Sequence, residues 1–552
     1  MKRIEIKNLT FKYPLSSENA LNGVSITINK GDYIAVCGKS GCGKTTLLRH
    51  LKPAVTPHGE RTGEILFDDE NIGSLSLRRQ TAEIGFVMQN PDSQIVTDKV
   101  WHELAFGLEN LGTDSSTIRQ KTAEMADYFG ISHWFRRDVN TLSGGEKQLL
   151  NLASVMAMDP EILLLDEPVS QLDPVAAADF LSTVSRLNRE LGVTVVITEH
   201  RLEEIFPNAD RIVVMDKGKI ISDLPPSETG MRLSENLSFI RYAMPAPMRI
   251  YSQVGDTSEK CPVTVRDGRR WLQKLNENGK YLKIDRTIPP ETEISVSIKD
   301  LFFCYDKKDA DVLSGLTANF QSGKITCILG GNGSGKSTLL KLVAGIYNPI
   351  SGKIKISKAL QPDKARRSKR KGSEQRGRAK TAYLPQQAVT LFTEKTVERD
   401  LRLMSDDISE AVKLTETENI LDCHPFDLSG GEIQRAATAK ILLADPDIIL
   451  LDEPTKGLDG EFKASFGKIL RTLANSGKTV IVVSHDTEFC SLYADVCMML
   501  FDGKIVSSKN SCEFFSENTF YTTTAHKMSK GIFENAVTDK EVAYLCRKNL
   551  TK

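Results

Sequence analysis

Two stretches of the chain set glycines, a lysine and a hydroxyl residue at the spacing that grips phosphate. They are GKSGCGKTT at residues 38–46 and GGNGSGKST at residues 330–338. Gly38, Ser40, Gly41 and Gly43 in the first, and Gly330, Asn332, Gly333 and Gly335 in the second, let successive backbone N–H groups converge on an anion at the positive end of a helix. Lys44 and Lys336 then reach the β- and γ-phosphates, and Thr45 and Ser337 offer hydroxyls to Mg²⁺, followed by Thr46 and Thr338. The apolar runs YIAVC and ITCIL, ending at residues 37 and 329, read as buried strands feeding each loop. The ligand implied is ATP with Mg²⁺.

Acids follow at the ends of further apolar runs, LLLDEP at residues 163–168 and ILLDEP at residues 449–454. Asp166 and Asp452 fall at the carboxyl ends of strands, where open α/β sheets bind ligands, and suit the Mg²⁺ side of the site. Glu167 and Glu453, directly after them, are placed to orient or deprotonate an attacking water. His200 and His485 each end another strand-like run and are expected to touch the γ-phosphate or that water rather than serve structure alone. LSGGEKQ at residues 142–148 and LSGGEIQ at residues 428–434 contain the capping boxes Ser143-x-x-Glu146 and Ser429-x-x-Glu432. The glycine pairs Gly144-Gly145 and Gly430-Gly431 exceed what a cap needs, so these helix starts are candidate phosphate contacts. Tyr13 and Tyr305 read either as rings that stack on adenine or as strand core.

These elements must be positioned twice, because the chain is written twice. The loops, the LSGGE stretches, the DEP acids, the histidines and the openings LTFKY and LFFCY recur in one order. The expected organisation is a first α/β domain at 1–225, a linker at 226–293, a second domain at 294–508 and an extension at 509–552 without a counterpart in the first half. Its 552 residues suffice for several cores. Lys+Arg and Asp+Glu both number 72, which removes overall charge as a pointer to nucleic acid. No apolar run is long enough for a membrane span. The start lacks a signal peptide's apolar core, and ten scattered cysteines suit a reducing compartment. A basic run, KARRSKRKGSEQRGRAK at residues 364–380, reads as a solvated loop rather than a lipid or nucleic-acid patch. Cys42, beside a helix start, is expected either to be a low-pKa thiol that ATP protects from reagents or to be a small filler.

At these motifs the chain resembles a tandem ATP-binding cassette (ABC) protein, with LSGGE matching that superfamily's signature. The resemblance implies two P-loop NTPase (RecA-like) α/β cores, each with an antiparallel β subdomain and a helical subdomain. It also implies a head-to-tail pseudo-dimer in which ATP on Lys44 faces Ser429, Gly430 and Gly431, and ATP on Lys336 faces Ser143, Gly144 and Gly145. Both composite sites are expected to hydrolyse ATP. Gln89 and Gln386 take the position that joins the γ-phosphate and Mg²⁺ site to the helical subdomain and a membrane partner.

QNPDSQ at residues 89–94 is similar to the ATPases of energy-coupling factor (ECF) importers, as are EHRLEE at residues 199–204, the linker's CPVTVRDGRRW and LPQQAVTLF in the second half. An ECF ATPase would work at the cytoplasmic face of the cell membrane. Its partners would be a transmembrane scaffold (T-component-like) and a membrane substrate-binding (S-component-like) protein, serving uptake of a B vitamin or precursor, or of cobalt or nickel. The bland reading of QNPDSQ is an Asn-Pro turn chosen for shape. The second half departs from the pattern, with Gln387-Ala388 for Asn-Pro, and spans 43 residues from Gln386 to Ser429 against 54 from Gln89 to Ser143. Its coupling surface is therefore expected to differ. Two other uses of ATP compete: a soluble tandem ABC protein acting on ribosomes, and a fused sugar-importer ATPase. The first calls for a strongly basic linker, whereas 226–293 holds 11 basic and 9 acidic residues. The second calls for a degenerate site, and neither site looks degenerate.

Overall fold

The computed structural model describes residues 1–14, 16–170, 172–199, 202–232, 238–256, 259–276, 282–284, 292–306, 310–357, 379–456, 458 and 460–550. They form two compact units, 1–268 and 269–552. The boundary falls inside the helix Val265–Leu275.

In the first unit, β1 (Lys2–Lys12), β2 (Leu21–Asn29), β4 (Glu60–Phe67) and β5 (Glu70–Asn71) form an antiparallel sheet ordered β2-β1-β4-β5. The larger sheet joins β3 (Tyr33–Gly38), β6 (Ile84–Val87), β7 (Ile162–Asp166), β8 (Thr194–Thr198), β9 (Arg211–Asp216) and β10 (Lys219–Leu224), ordered β10-β9-β3-β8-β7-β6. Its strands β9, β3, β8, β7 and β6 run parallel. Their continuous apolar sequences follow from that: β7 and β8 are buried at every residue, as strands covered on both faces must be. One apolar cluster ties Phe11 of β1 and Leu48 of the loop-following helix to Ile162 and Leu164 of β7.

The second unit repeats the plan. After β11 (Leu282–Lys283), the strands β12 (Ile294–Phe303), β13 (Leu313–Gln321) and β15 (Ser351–Ile356) form the antiparallel sheet. β14 (Ile325–Leu329), β16 (Thr381–Leu384), β17 (Ile448–Asp452), β18 (Thr479–Val483), β19 (Val496–Phe501) and β20 (Lys504–Asn510) form a sheet ordered β16-β17-β18-β14-β19-β20. Between Gln89 and Ser143 stand helices of 11 and 14 residues, but only 6 and 7 between Gln386 and Ser429, so the helical subdomain is shorter there.

The extension after residue 509 has a counterpart after all, which corrects the sequence expectation. In both halves the antiparallel edge strand, β10 or β20, runs into a helix, Pro226–Met231 or Ser511–Glu517. Both halves also place a Thr-x-x-acid cap at a later helix: Thr264 with Asp267, and Thr538 with Glu541. Phe514, Phe515 and Val537 enter the second unit's core, and β21 (Phe533–Glu534) pairs in parallel with β11.

Candidate functional site

Each phosphate loop leaves the end of a buried strand. β3 ends at Gly38, where a Cβ would lie 2.2 Å from the Met215 carbonyl oxygen; at Gly330 it would lie 2.2 Å from that of Leu500. The loops close through Gly43 and Gly335, at φ 104° and 98°, a left-handed turn that favours glycine, and the helices Lys44–His50 and Lys336–Val343 begin there. Ser40, Gly41, Asn332 and Gly333 are exposed at the loop tips. Lys44 Nζ donates to the carbonyls of Gly38 (3.1 Å) and Lys39 (3.0 Å), and Lys336 Nζ to those of Gly330 (3.0 Å) and Gly331 (2.8 Å). Both ammonium groups are thus set within their own loops, and each has three N–H donors to share. Thr46 and Thr338 are buried and bond the Tyr13 and Tyr305 hydroxyls at 3.1 and 2.8 Å. Both tyrosines stand just beyond the ends of β1 and β12; Tyr13 packs against the strand core, whereas Tyr305 is 58% exposed beside the loop helix.

Thr45 Oγ1 donates to Asp166 Oδ1 at 2.9 Å, and Ser337 Oγ to Asp452 Oδ1 at 2.9 Å. Burial raises both carboxyls above the usual range, against the pull of these hydroxyls. A hydroxyl and a carboxylate converging at a phosphate loop make an all-oxygen donor set, which suits Mg²⁺. Among the described residues no group of three His, Cys, Asp or Glu side chains could hold a metal alone.

Glu167 and Glu453 have φ of 45° and 51°, left-handed for residues that carry a Cβ. The backbone there is fixed by Glu167 N donating to Thr198 O (3.1 Å) and Glu453 N to Val483 O (2.9 Å). Strain at the same step in both copies marks positions where side-chain direction outweighs backbone comfort. Gln89 Nε2 donates to Glu167 Oε2 at 2.9 Å. Burial pushes the Glu453 carboxyl up to about 7. His485 N donates to Glu453 Oε2 at 3.3 Å, and its ring Nε2 lies 3.3 Å from Oε1, in ion-pair range but without hydrogen-bond alignment. Gln386 is exposed and makes no such bond to Glu453 among the described residues. His200 lies outside the described residues, as does most of the basic stretch 364–380.

Both predicted capping boxes form. Ser143 Oγ accepts from Glu146 N (3.3 Å) while Glu146 Oε2 accepts from Ser143 N (2.7 Å); Ser429 and Glu432 do the same at 3.4 and 2.9 Å. Gly144 and Gly430 have ordinary φ, and a Cβ on either would meet nothing within 4 Å. Packing within each unit therefore does not demand glycine at Gly144 or Gly430, whereas a Cβ on Gly145 would lie 2.9 Å from the Ala176 Cβ.

The sequence profile of the ABC transporter family matches residues 21–170 and 313–456. A putative ABC transporter ATP-binding protein of Bacillus anthracis is 38% identical over 99% of this chain and 98% of its own length. The chain belongs to the ABC transporter family. It is an ATPase built from two ABC cassettes. A putative ABC transporter ATP-binding protein of Methanosarcina acetivorans is 33% identical over 91% of this chain and 84% of its own. Among solved structures, the archaeal ribosome recycling factor aABCE1, in complex with ribosomal stalk protein aP1, matches 92% of this chain and 91% of its own with a TM-score of 0.60. At 21% identity that likeness is one of fold.

The two ABC cassettes treat the loop after Gln89 or Gln386 differently. In the first, Asn90 caps the turn Pro91–Ser93, and Gln94 closes it by accepting from Met88 N (2.8 Å) and donating to Phe86 O (3.0 Å). Three residues of the signature helix Gly144–Met156 hold this loop: Lys147 on Asp92 (2.6 Å), Gln148 on Met88 O (2.9 Å) and Asn151 on Pro91 O (3.2 Å). In the second, Ile433 and Ala437 replace Lys147 and Asn151. Lys440 instead bonds Leu391 O at 2.5 Å and pairs with the buried Asp400. Lys147, Gln148 and Asn151 were not singled out from the sequence; their signal was three polar residues on one helix face after LSGGE.

Cys42 is a filler. It is buried, and burial raises its thiol above the ordinary value although Lys44 pulls the other way. Of the two readings, packing favours the filler: Cys42 joins the core cluster, and burial outweighs the Lys44 charge and backbone N–H that draw the thiol down.

Proposed function

We propose that this chain is the ATP-hydrolysing motor of an ECF-type importer, driving uptake of a micronutrient through membrane partners. In each cassette, Lys44 or Lys336 would neutralise the β- and γ-phosphates, and Thr45 with Asp166, or Ser337 with Asp452, would hold Mg²⁺. Bound there, Mg²⁺ would supply charge neutralisation at the phosphates. Glu167 and Glu453 would take the proton of the attacking water, with Gln89 and His485 orienting them. A Glu453 carboxyl poised near neutrality suits a group that must both gain and lose a proton.

The observation carrying the importer reading is the first cassette's loop. Glu167, Gln89, Pro91, Asp92 and the signature helix form one bonded chain, a rigid path from the γ-phosphate side to the helical subdomain. Such a path serves a force-transmitting contact with a partner. No helix among the described residues is long and apolar enough to cross a membrane, so the membrane contact is assigned to a T-component-like scaffold and an S-component-like binding protein. The test is purification of the tagged chain from its own cells. Recovery of a polytopic membrane protein with it supports the reading, and recovery of ribosomal RNA in its place overturns it.

A further inference from the structure

The carboxylates Asp166 and Asp452 each end a strand lying between two neighbours. In the first cassette β7 runs between β6 and β8, and Asp166 is in register with Thr198. In the second, β17 runs between β16 and β18, and Asp452 is in register with Val483. On the other side, Phe86 pairs with Leu164 and Tyr383 with Leu450, equivalent positions two residues before each aspartate. The flanking pair is therefore Phe86 and Thr198 in one cassette, and Tyr383 and Val483 in the other. Each pair contains one hydroxyl, on opposite sides.

Both hydroxyls reach the carboxylate. Thr198 Oγ1 donates to Asp166 Oδ1 at 3.0 Å, the same oxygen that Thr45 holds at 2.9 Å. Tyr383 Oη donates to Asp452 Oδ2 at 3.1 Å, while Ser337 holds Oδ1 at 2.9 Å. Asp166 is thus gripped through one oxygen, and Asp452 through both. A carboxylate that binds a cation depends on such outer partners to keep its lone pairs aimed. Tyr383 also packs its half-buried ring on apolar neighbours, a role that phenylalanine would keep.

We propose that Tyr383 and Thr198 are positioning residues for the divalent cation, each supplying from a flanking strand a second hydroxyl, beside that of the phosphate-loop helix, that orients its cassette's carboxylate. They do so from opposite strands, so that the two ATP sites bind the cation with differently held ligands. The inference rests on the assignment of Asp166 and Asp452 to the cation.

The test uses the full chain with Lys44→Ala and Glu453→Gln, which leaves ATP on the second phosphate loop without turnover. Mn²⁺ is titrated into the ATP-loaded protein and followed by its electron paramagnetic resonance signal. Tyr383→Phe is expected to weaken Mn²⁺ binding about five- to tenfold, with ATP affinity in EDTA unchanged, and adding Val483→Thr is expected to restore it. Mn²⁺ affinity within twofold of the parent, or no recovery with Val483→Thr, overturns the proposal. A parent that takes up no Mn²⁺ with ATP overturns the assignment of Asp452 itself. Should Tyr383→Phe fail to fold, the mirror experiment decides. With Lys336→Ala and Glu167→Gln, Thr198→Val should weaken Mn²⁺ likewise and Phe86→Tyr should rescue it; failure of either overturns the proposal.

Discussion

Gln89 Nε2 sits 2.9 Å from Glu167 Oε2, so the first cassette's Gln89–Gln94 loop begins on the residue assigned to activate water. The corresponding glutamate in the second cassette, Glu453, has His485 beside it and no bond from Gln386. The two sites therefore differ in whether the glutamine bonds the glutamate. Both still carry lysine, hydroxyl, aspartate and glutamate in the same relation, which is the basis for expecting both to work.

Glu167→Gln and Glu453→Gln should each lower steady-state ATP hydrolysis, and the double variant should fall at least about 100-fold, the scale for loss of a general base. Full activity in the Glu453→Gln variant, with Glu167→Gln inactive, would show that only the first site turns over.

The loop's ties to the signature helix should differ in strength. Asp92 is 67% exposed at its side chain, so its pair with Lys147 is worth under about 0.5 kcal/mol. Asn151 is fully buried and serves the Pro91 carbonyl, so Asn151→Ala should cost about 1–2 kcal/mol. Urea unfolding of Asp92→Ala and Asn151→Ala measures both; equal losses would refute the ranking.

The cores and loops of both cassettes were legible because their chemistry is local. A strand, a glycine turn and a helix start lie within about a dozen residues of each other, and repetition removed chance. The capping boxes at Ser143 and Ser429 formed for the same reason. What escaped were relations set by sheet register and helix face. Thr198 and Tyr383 meet their aspartates only because β8 and β16 happen to flank β7 and β17. The two readings of Cys42 could not be separated from the sequence, because how deeply a side chain is buried beside a helix start is set by the surrounding core. The counterpart of the C-terminal extension lay in element order and one Thr-x-x-acid cap, with too few shared residues to show as a repeat.

The left-handed backbone at Glu167 and Glu453 gives an inversion that stability measurements can detect. Glycine adopts φ near 45–51° without penalty, whereas alanine there keeps the Cβ clash. Glu453→Gly should therefore be more stable than Glu453→Ala by about 1 kcal/mol, the reverse of the order in a helix interior. Both variants should lose second-site turnover. Alanine equalling or exceeding glycine in thermal stability would mean that the surroundings, rather than the backbone, set the cost.

His50 should make the first cassette sensitive to acid. Its ring is fully buried against Phe11, with centroids 4.5 Å apart, Nδ1 is 2.7 Å from Thr46 O, and Nε2 is a buried nitrogen without a partner. Burial lowers its pKa, the Thr46 carbonyl opposes that, and the Arg61 charge adds to it. The unfolded chain, with histidine near its ordinary value of about 6.5, takes up a proton that the folded chain refuses. Stability is therefore retained above that pH and falls as pH drops below it. The second cassette carries Leu342 at the equivalent position of its loop helix, fully packed, so leucine fits this site. His50→Leu should narrow the drop in thermal midpoint between pH 7.5 and 5.5 by roughly 2 °C, every other titrating group being shared by the two proteins. An equal drop in both would show that His50 is protonated without cost in the folded state.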